Sequence, residues 1–96
     1  MSNILIIEDE ESIRRVLKKV LIEEDNTYNI IESFDGVQAI EIVKKNKVDL
    51  ILCDIKMPKK DGIEVLKFLI KDFKEIPVIM ISGHGDLETA VESMRL

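Results

Sequence analysis

Apolar residues in this chain alternate between two spacings, and that alternation constrains the fold more than any other feature. Ile4-Leu5-Ile6-Ile7 is an unbroken aliphatic run, as expected of a strand buried on both faces. Ile13, Val16, Leu17, Val20 and Leu21 then recur at steps of three and four between Glu11 and Glu24. That spacing draws one stripe along a helix, with Arg14, Arg15, Lys18 and Lys19 off it. A second strand is expected from Tyr28 to Ser33, followed by a turn at Asp35-Gly36 and a helix striped by Ile40 and Val43 to near Asn46. Leu50-Ile51-Leu52 lies in a third buried strand from Val48 to Cys53. Asp61 with Glu64 three residues later has the form of a capping box, ahead of a helix carrying Ile63, Leu66, Leu69 and Ile70. Pro77 to Ile81 is the fourth strand, and Asp86 caps a fourth helix striped by Leu87, Ala90, Val91 and Met94.

The order βαβαβαβα with short connections calls for a parallel sheet with helices on both faces, in one α/β domain over 1–96. Composition agrees: 46% of the residues are apolar, enough to bury a core. The balance of 14 basic and 19 acidic residues, net −5, argues against nonspecific binding to nucleic acid or to an anionic membrane. One cysteine, Cys53, excludes an internal disulfide, and its place in a buried strand suits a small hydrophobe. No apolar run approaches the ~20 residues of a membrane span. Met1-Ser2-Asn3 has no basic flank, so no signal peptide is visible and a cytoplasmic protein is expected.

Open parallel sheets bind ligands beyond the carboxyl ends of their strands, where the strand order reverses. Strand one ends in Glu8-Asp9-Glu10, strand three in Asp54 and strand four in Ser82-Gly83. In the common order 2-1-3-4-5 the reversal falls between strands one and three, which brings Glu8, Asp9 and Asp54 together. Carboxylates held close repel one another, and a hard cation such as Mg²⁺ relieves the repulsion. Acids, magnesium and a hydroxyl point to phosphoryl chemistry. Glu10 and Glu11 read instead as helix-start acids favoured by the dipole. His84 is the single histidine, so a multi-histidine metal site within the chain is excluded.

Asp54-Ile55-Lys56-Met57-Pro58-Lys59-Lys60-Asp61-Gly62 resembles the phosphoacceptor segment of bacterial two-component response regulator receiver domains. Ile4 to Glu10 is similar to that family's first strand and acidic pair, and Pro77 to Gly83 to its fourth strand and switch hydroxyl. The resemblance implies a flavodoxin-like fold, strand order 2-1-3-4(-5), whose fifth strand and helix are missing from this chain. It further implies that Asp54 accepts a phosphoryl group from a sensor histidine kinase. Asp9 would bind Mg²⁺, Glu8 would share the acidic pocket, Lys56 would offer its backbone carbonyl and Ser82 would hydrogen-bond the phosphoryl group. Glu8 stands where the family more often has Asp. Ser82 to Val91 is similar to receivers of nitrogen-regulation-type transcriptional activators, implying a DNA-binding output domain in the parent chain. On this reading the protein is a phosphoacceptor rather than an enzyme.

Three other readings compete. A magnesium-dependent phosphatase using Asp54 would want an acid two residues on, where Lys56 stands. An FMN binder would want a phosphate loop after strand one, where four acids, Glu8 to Glu11, stand instead. A degenerate receiver serving only as an interaction module would have no use for Asp9, Asp54 and Ser82. With no fifth strand, strand four would be an open apolar edge. The domain is therefore expected to be incomplete at its carboxyl end, with the polypeptide continuing past Leu96 or two copies covering each other as a homodimer.

Overall fold

A computed structural model of the chain describes residues 2–54, 67–69, 71–73 and 75–81, with Asp54 described through its backbone. The elements are β1 (Asn3–Ile7), α1 (Glu11–Glu24), β2 (Asn29–Ser33), α2 (Gly36–Lys45), β3 (Leu50–Asp54) and β4 (Val78–Ile81). Residues 67–69 and 71–72 are also helical. The expected third-helix cap at Asp61 and Glu64, and the whole fourth helix from Asp86, lie outside the described residues.

Among the described residues, all strand pairings are parallel, and four strands stand in the order β2-β1-β3-β4. Both the direction and the order agree with the sequence reading. β1 sits between β2 and β3, with Ile4 opposite both Ile30 and Leu50, and Ile7 opposite both Ser33 and Cys53. Such a strand has no edge to show to water and must be apolar throughout, which is why its aliphatic run is unbroken. Successive residues point to opposite faces of the sheet. Leu5, Ile7, Ile51 and Cys53 therefore pack with Ala39 and Val43 of α2 and with Leu69, whereas Ile4, Ile6 and Leu52 pack with Leu17 and Leu21 of α1. Cys53 is fully buried and packs as the expected small hydrophobe.

The helix ends follow from local chemistry. Asp35 caps α2, its Oδ1 accepting the Gln38 N–H at 2.8 Å, while Gln38 Oε1 accepts the Phe34 N–H at 2.8 Å. α1 stops at Asp25, whose backbone is extended and whose Oδ1 takes both the N–H and the hydroxyl of Thr27.

Four expectations need correction. Tyr28, Val48 and Pro77 precede their strands instead of opening them. Tyr28 and Val48 sit where a connection is still turning into the sheet and pack against its core, whereas Pro77 is exposed and its carbonyl accepts the Ile51 N–H at 3.0 Å, just ahead of β4. Val16 belongs to the predicted α1 stripe but is 47% exposed. The stripe spans more of the helix circumference than the sheet covers, and Leu17 and Leu21 alone are fully buried along it.

Candidate functional site

The register that pairs Ile7 with Cys53 makes Glu8 and Asp54 the next residues along two adjacent parallel strands. Asp54 ends β3 opposite Ile81, the last residue of β4. The carboxyl ends of β1, β3 and β4 thus converge at the reversal in strand order, where open α/β sheets bind their ligands. Glu8 and Asp9 leave β1 there, as expected. Lys56 and Ser82, the other two expected site residues, lie outside the described residues.

Glu8 and Asp9, adjacent in sequence, differ in environment. Glu8 is only 4% exposed, while Asp9 faces solvent. The Glu8 backbone N–H donates to the Ser33 carbonyl at 3.1 Å, extending the β1–β2 ladder by one residue. Its side chain turns back, and Oε2 accepts the Glu10 N–H at 3.1 Å. That bond closes the Glu8-Asp9-Glu10 turn and sets the start of α1, whose cap residue is Glu10. Glu10 makes no side-chain cap bond, and Glu11 lies in the first turn, in keeping with the dipole reading of these two acids.

Sequence reasoning missed the residue that holds this turn from the helix side. Arg14, placed off the α1 stripe with the solvent-facing cations, is half-buried. Its Nη1 donates to the Glu8 carbonyl at 2.8 Å, and its Nε lies 3.6 Å from Glu32 Oε1 on β2. Lys18 Nζ lies 3.6 Å from the other oxygen of Glu32. Ser33, next to Glu32, is buried and donates its hydroxyl to the Ile6 carbonyl at 3.3 Å. A signal for Arg14 does exist in the sequence. A cation near the start of a helix opposes the dipole, so a compensating partner nearby is to be expected. The D-x-x-Q pattern of Asp35 and Gln38 was likewise readable as a cap.

Among the described side chains, no three of His, Cys, Asp and Glu gather closely enough to hold a metal ion. What the described residues offer is a buried and an exposed carboxylate in succession, beside the strand that ends in Asp54. Carboxylate and carbonyl oxygens are the donors a hard cation such as Mg²⁺ takes, so the residues present fit that ion and not a soft metal.

A parallel, doubly wound α/β sheet with acids at its strand-order reversal defines the class of protein. Comparison with known proteins gives the family. Residues 4–96 match the response regulator receiver domain, and the chain belongs to that family. It is 39% identical over 93 residues to sporulation initiation phosphotransferase F of Bacillus subtilis, covering 97% of this chain and 73% of that protein. It is 36% identical over 96 residues to an NtrX-like response regulator of Rickettsia typhi and 40% identical over 93 residues to the transcriptional regulatory protein SrrA of Staphylococcus aureus. Those matches cover 98% and 96% of this chain but only 20% and 37% of the two relatives. Among solved structures, the response regulator TrrA of Thermotoga maritima in complex with Mg²⁺ and a beryllium fluoride is similar at a TM-score of 0.82 and 31% identity, over 98% of this chain and 80% of that one. The complex of the histidine kinase ThkA with TrrA matches at a TM-score of 0.78 and 26% identity, over 98% of each chain. Among the described residues, no helix is long and apolar enough to cross a membrane.

Proposed function

We propose that this receiver domain is a phosphoacceptor, taking a phosphoryl group from a sensor histidine kinase onto Asp54 with Mg²⁺ and relaying that state to an output domain. The observation that carries the reading is the register of β1 against β3, which makes the Glu8-Asp9 pair and Asp54 neighbours at the carboxyl edge of the sheet. An Asp54 carboxylate oxygen attacks the phosphorus of the phosphohistidine. The P–N bond breaks, its electron pair returns to the imidazole, and an acyl phosphate remains on Asp54. Glu8, Asp9, Asp54 and the Lys56 carbonyl are the groups that would hold the ion. When bound, Mg²⁺ supplies neutralisation and orientation of the phosphoryl oxygens. Ser82 hydrogen-bonds one of those oxygens and thereby senses phosphorylation. The domain turns over no substrate beyond slow loss of its own phosphoryl group.

Support for the partners comes from the relatives. TrrA is seen with a histidine kinase and with Mg²⁺ and a beryllium fluoride, and SrrA is a transcriptional regulator much longer than this chain. The output is therefore assigned to transcription and the location to the cytoplasm, with no direct nucleic-acid contact by this acidic domain.

Acetyl phosphate with Mg²⁺ should add the mass of one phosphoryl group, and beryllofluoride with Mg²⁺ should give a bound fluorine NMR signal. Asp54→Asn should abolish both. Asp9→Ala should weaken Mg²⁺ binding strongly, and Glu8→Asp much less. An adduct that forms on the Asn variant, or without magnesium, refutes the assignment.

A further inference from the structure

We infer that Arg14 is a positioning residue for the metal-binding turn, strapping the Glu8 carbonyl to Glu32 so that Glu8 and Asp9 are already in place before a cation arrives. The inference rests on the proposed Mg²⁺ site and goes beyond the groups that would touch the ion. Among the described residues, three hydrogen bonds converge on Glu8 from three directions: its N–H to Ser33, its Oε2 from Glu10 and its carbonyl from Arg14. The first two are local to the sheet edge and to the turn. The third ties the turn to the first turns of α1, and it does so through a guanidinium whose second prong faces Glu32 on β2. A planar fork with fixed donors can serve both partners at once, which the single ammonium of lysine does less well.

The strap contributes little energy in itself. Its Arg14–Glu32 and Lys18–Glu32 contacts are each 3.6 Å long and line a groove of about 360 Å³ open to water, where such pairs are worth little. Its consequence is geometric. Groups that orient metal ligands from behind change affinity by roughly 10–100-fold when removed. Coulomb's law predicts the opposite sign: a cation near a cation site repels the ion, so deleting Arg14 should tighten Mg²⁺ binding if charge were all that mattered. The two accounts are therefore separable by direction as well as by size.

The test is a Mg²⁺ titration of the full chain followed by amide NMR shifts of Asp9 and Glu10, with thermal melts in magnesium-free buffer alongside. Arg14→Met should weaken Mg²⁺ binding about tenfold or more. Arg14→Lys should recover part of the loss. Glu32→Gln, which frees the far end of the strap while keeping the carbonyl bond, should cost a smaller factor and serves if the Met variant does not fold. Arg15→Met, which removes a cation paired to exposed Glu11, should leave the affinity unchanged. Equal or tighter Mg²⁺ binding by a folded Arg14→Met variant overturns the inference and leaves the metal site standing. A lowered melting temperature with unchanged affinity overturns it too, by showing a merely structural role. Absence of Mg²⁺ binding by the wild type removes the site and the inference together.

Discussion

Val16 and Leu21 belong to one apolar stripe in the sequence but to different environments in the fold, and substituting each by alanine measures the difference. Leu21 is fully buried among Ile4, Ile6, Leu17 and Leu52. Truncating such a residue removes its transfer free energy and leaves a cavity, at a cost of about 3–5 kcal/mol. For a domain of this size each kcal/mol lowers the melting temperature by roughly 4–8 °C. Leu21→Ala should therefore lower it by well over 10 °C and remove a large share of the total stability. Val16 is 47% exposed, so the two carbons lost in Val16→Ala are about half-buried and account for ~0.8 kcal/mol. Alanine's better helix propensity returns up to ~0.7 kcal/mol. The net change should be within about 0.5 kcal/mol of zero. Urea denaturation followed by circular dichroism gives both values, provided the two variants share the wild-type m-value. Equal penalties at the two positions would refute the reasoning, because they would mean that Val16 is as deeply packed as Leu21.

Two further expectations concern the carboxyl end of α1. The Thr27 hydroxyl and N–H bonded to Asp25 hold its carboxyl below the ordinary aspartate range. A lowered folded-state pKa contributes stability above the unfolded value, lost as pH falls through the folded value. Thr27→Val should thus melt slightly below wild type at neutral pH, and the gap should close in acid once Asp25 is protonated; a gap that persists there would contradict this. The last turn of α1 carries no basic residue but does carry exposed Glu23, so Glu23→Lys should stabilise the domain by about 0.3–1 kcal/mol. The gain should shrink in high salt, and a salt-independent gain would point to a cause other than the dipole.

Element type and order were legible in the sequence because hydrophobic period is a local property. Each face of a helix or strand reads its own neighbours three, four or two residues away. The full span of α1, Glu11 to Glu24, was recovered in this way. So were the acids at the end of β1 and the aspartate at the end of β3, because a strand's end is visible where its apolar run stops. The strand bounds were less sharp. Tyr28 and Val48 are apolar for packing reasons that have no period, and Pro77 lies exposed just ahead of its strand.

Tertiary structure decided what depends on the element opposite. The stripe of α1 shows which residues share a side of the helix, but only the sheet's extent leaves Val16 in water while burying Leu17 and Leu21. Adjacent acids read alike in sequence. The β1–β2 ladder carries Glu8 one residue past the strand and into the interior, while Asp9, one step along the turn, stays exposed. Arg14 follows the same logic. By helical position it belongs with the outward cations, and it turns inward because the Glu8 carbonyl and the Glu32 carboxylate, from two different strands, lie within reach of one guanidinium. Burial and long-range hydrogen bonds are properties of pairs distant in sequence, and no local pattern encodes which pairs the sheet will bring together.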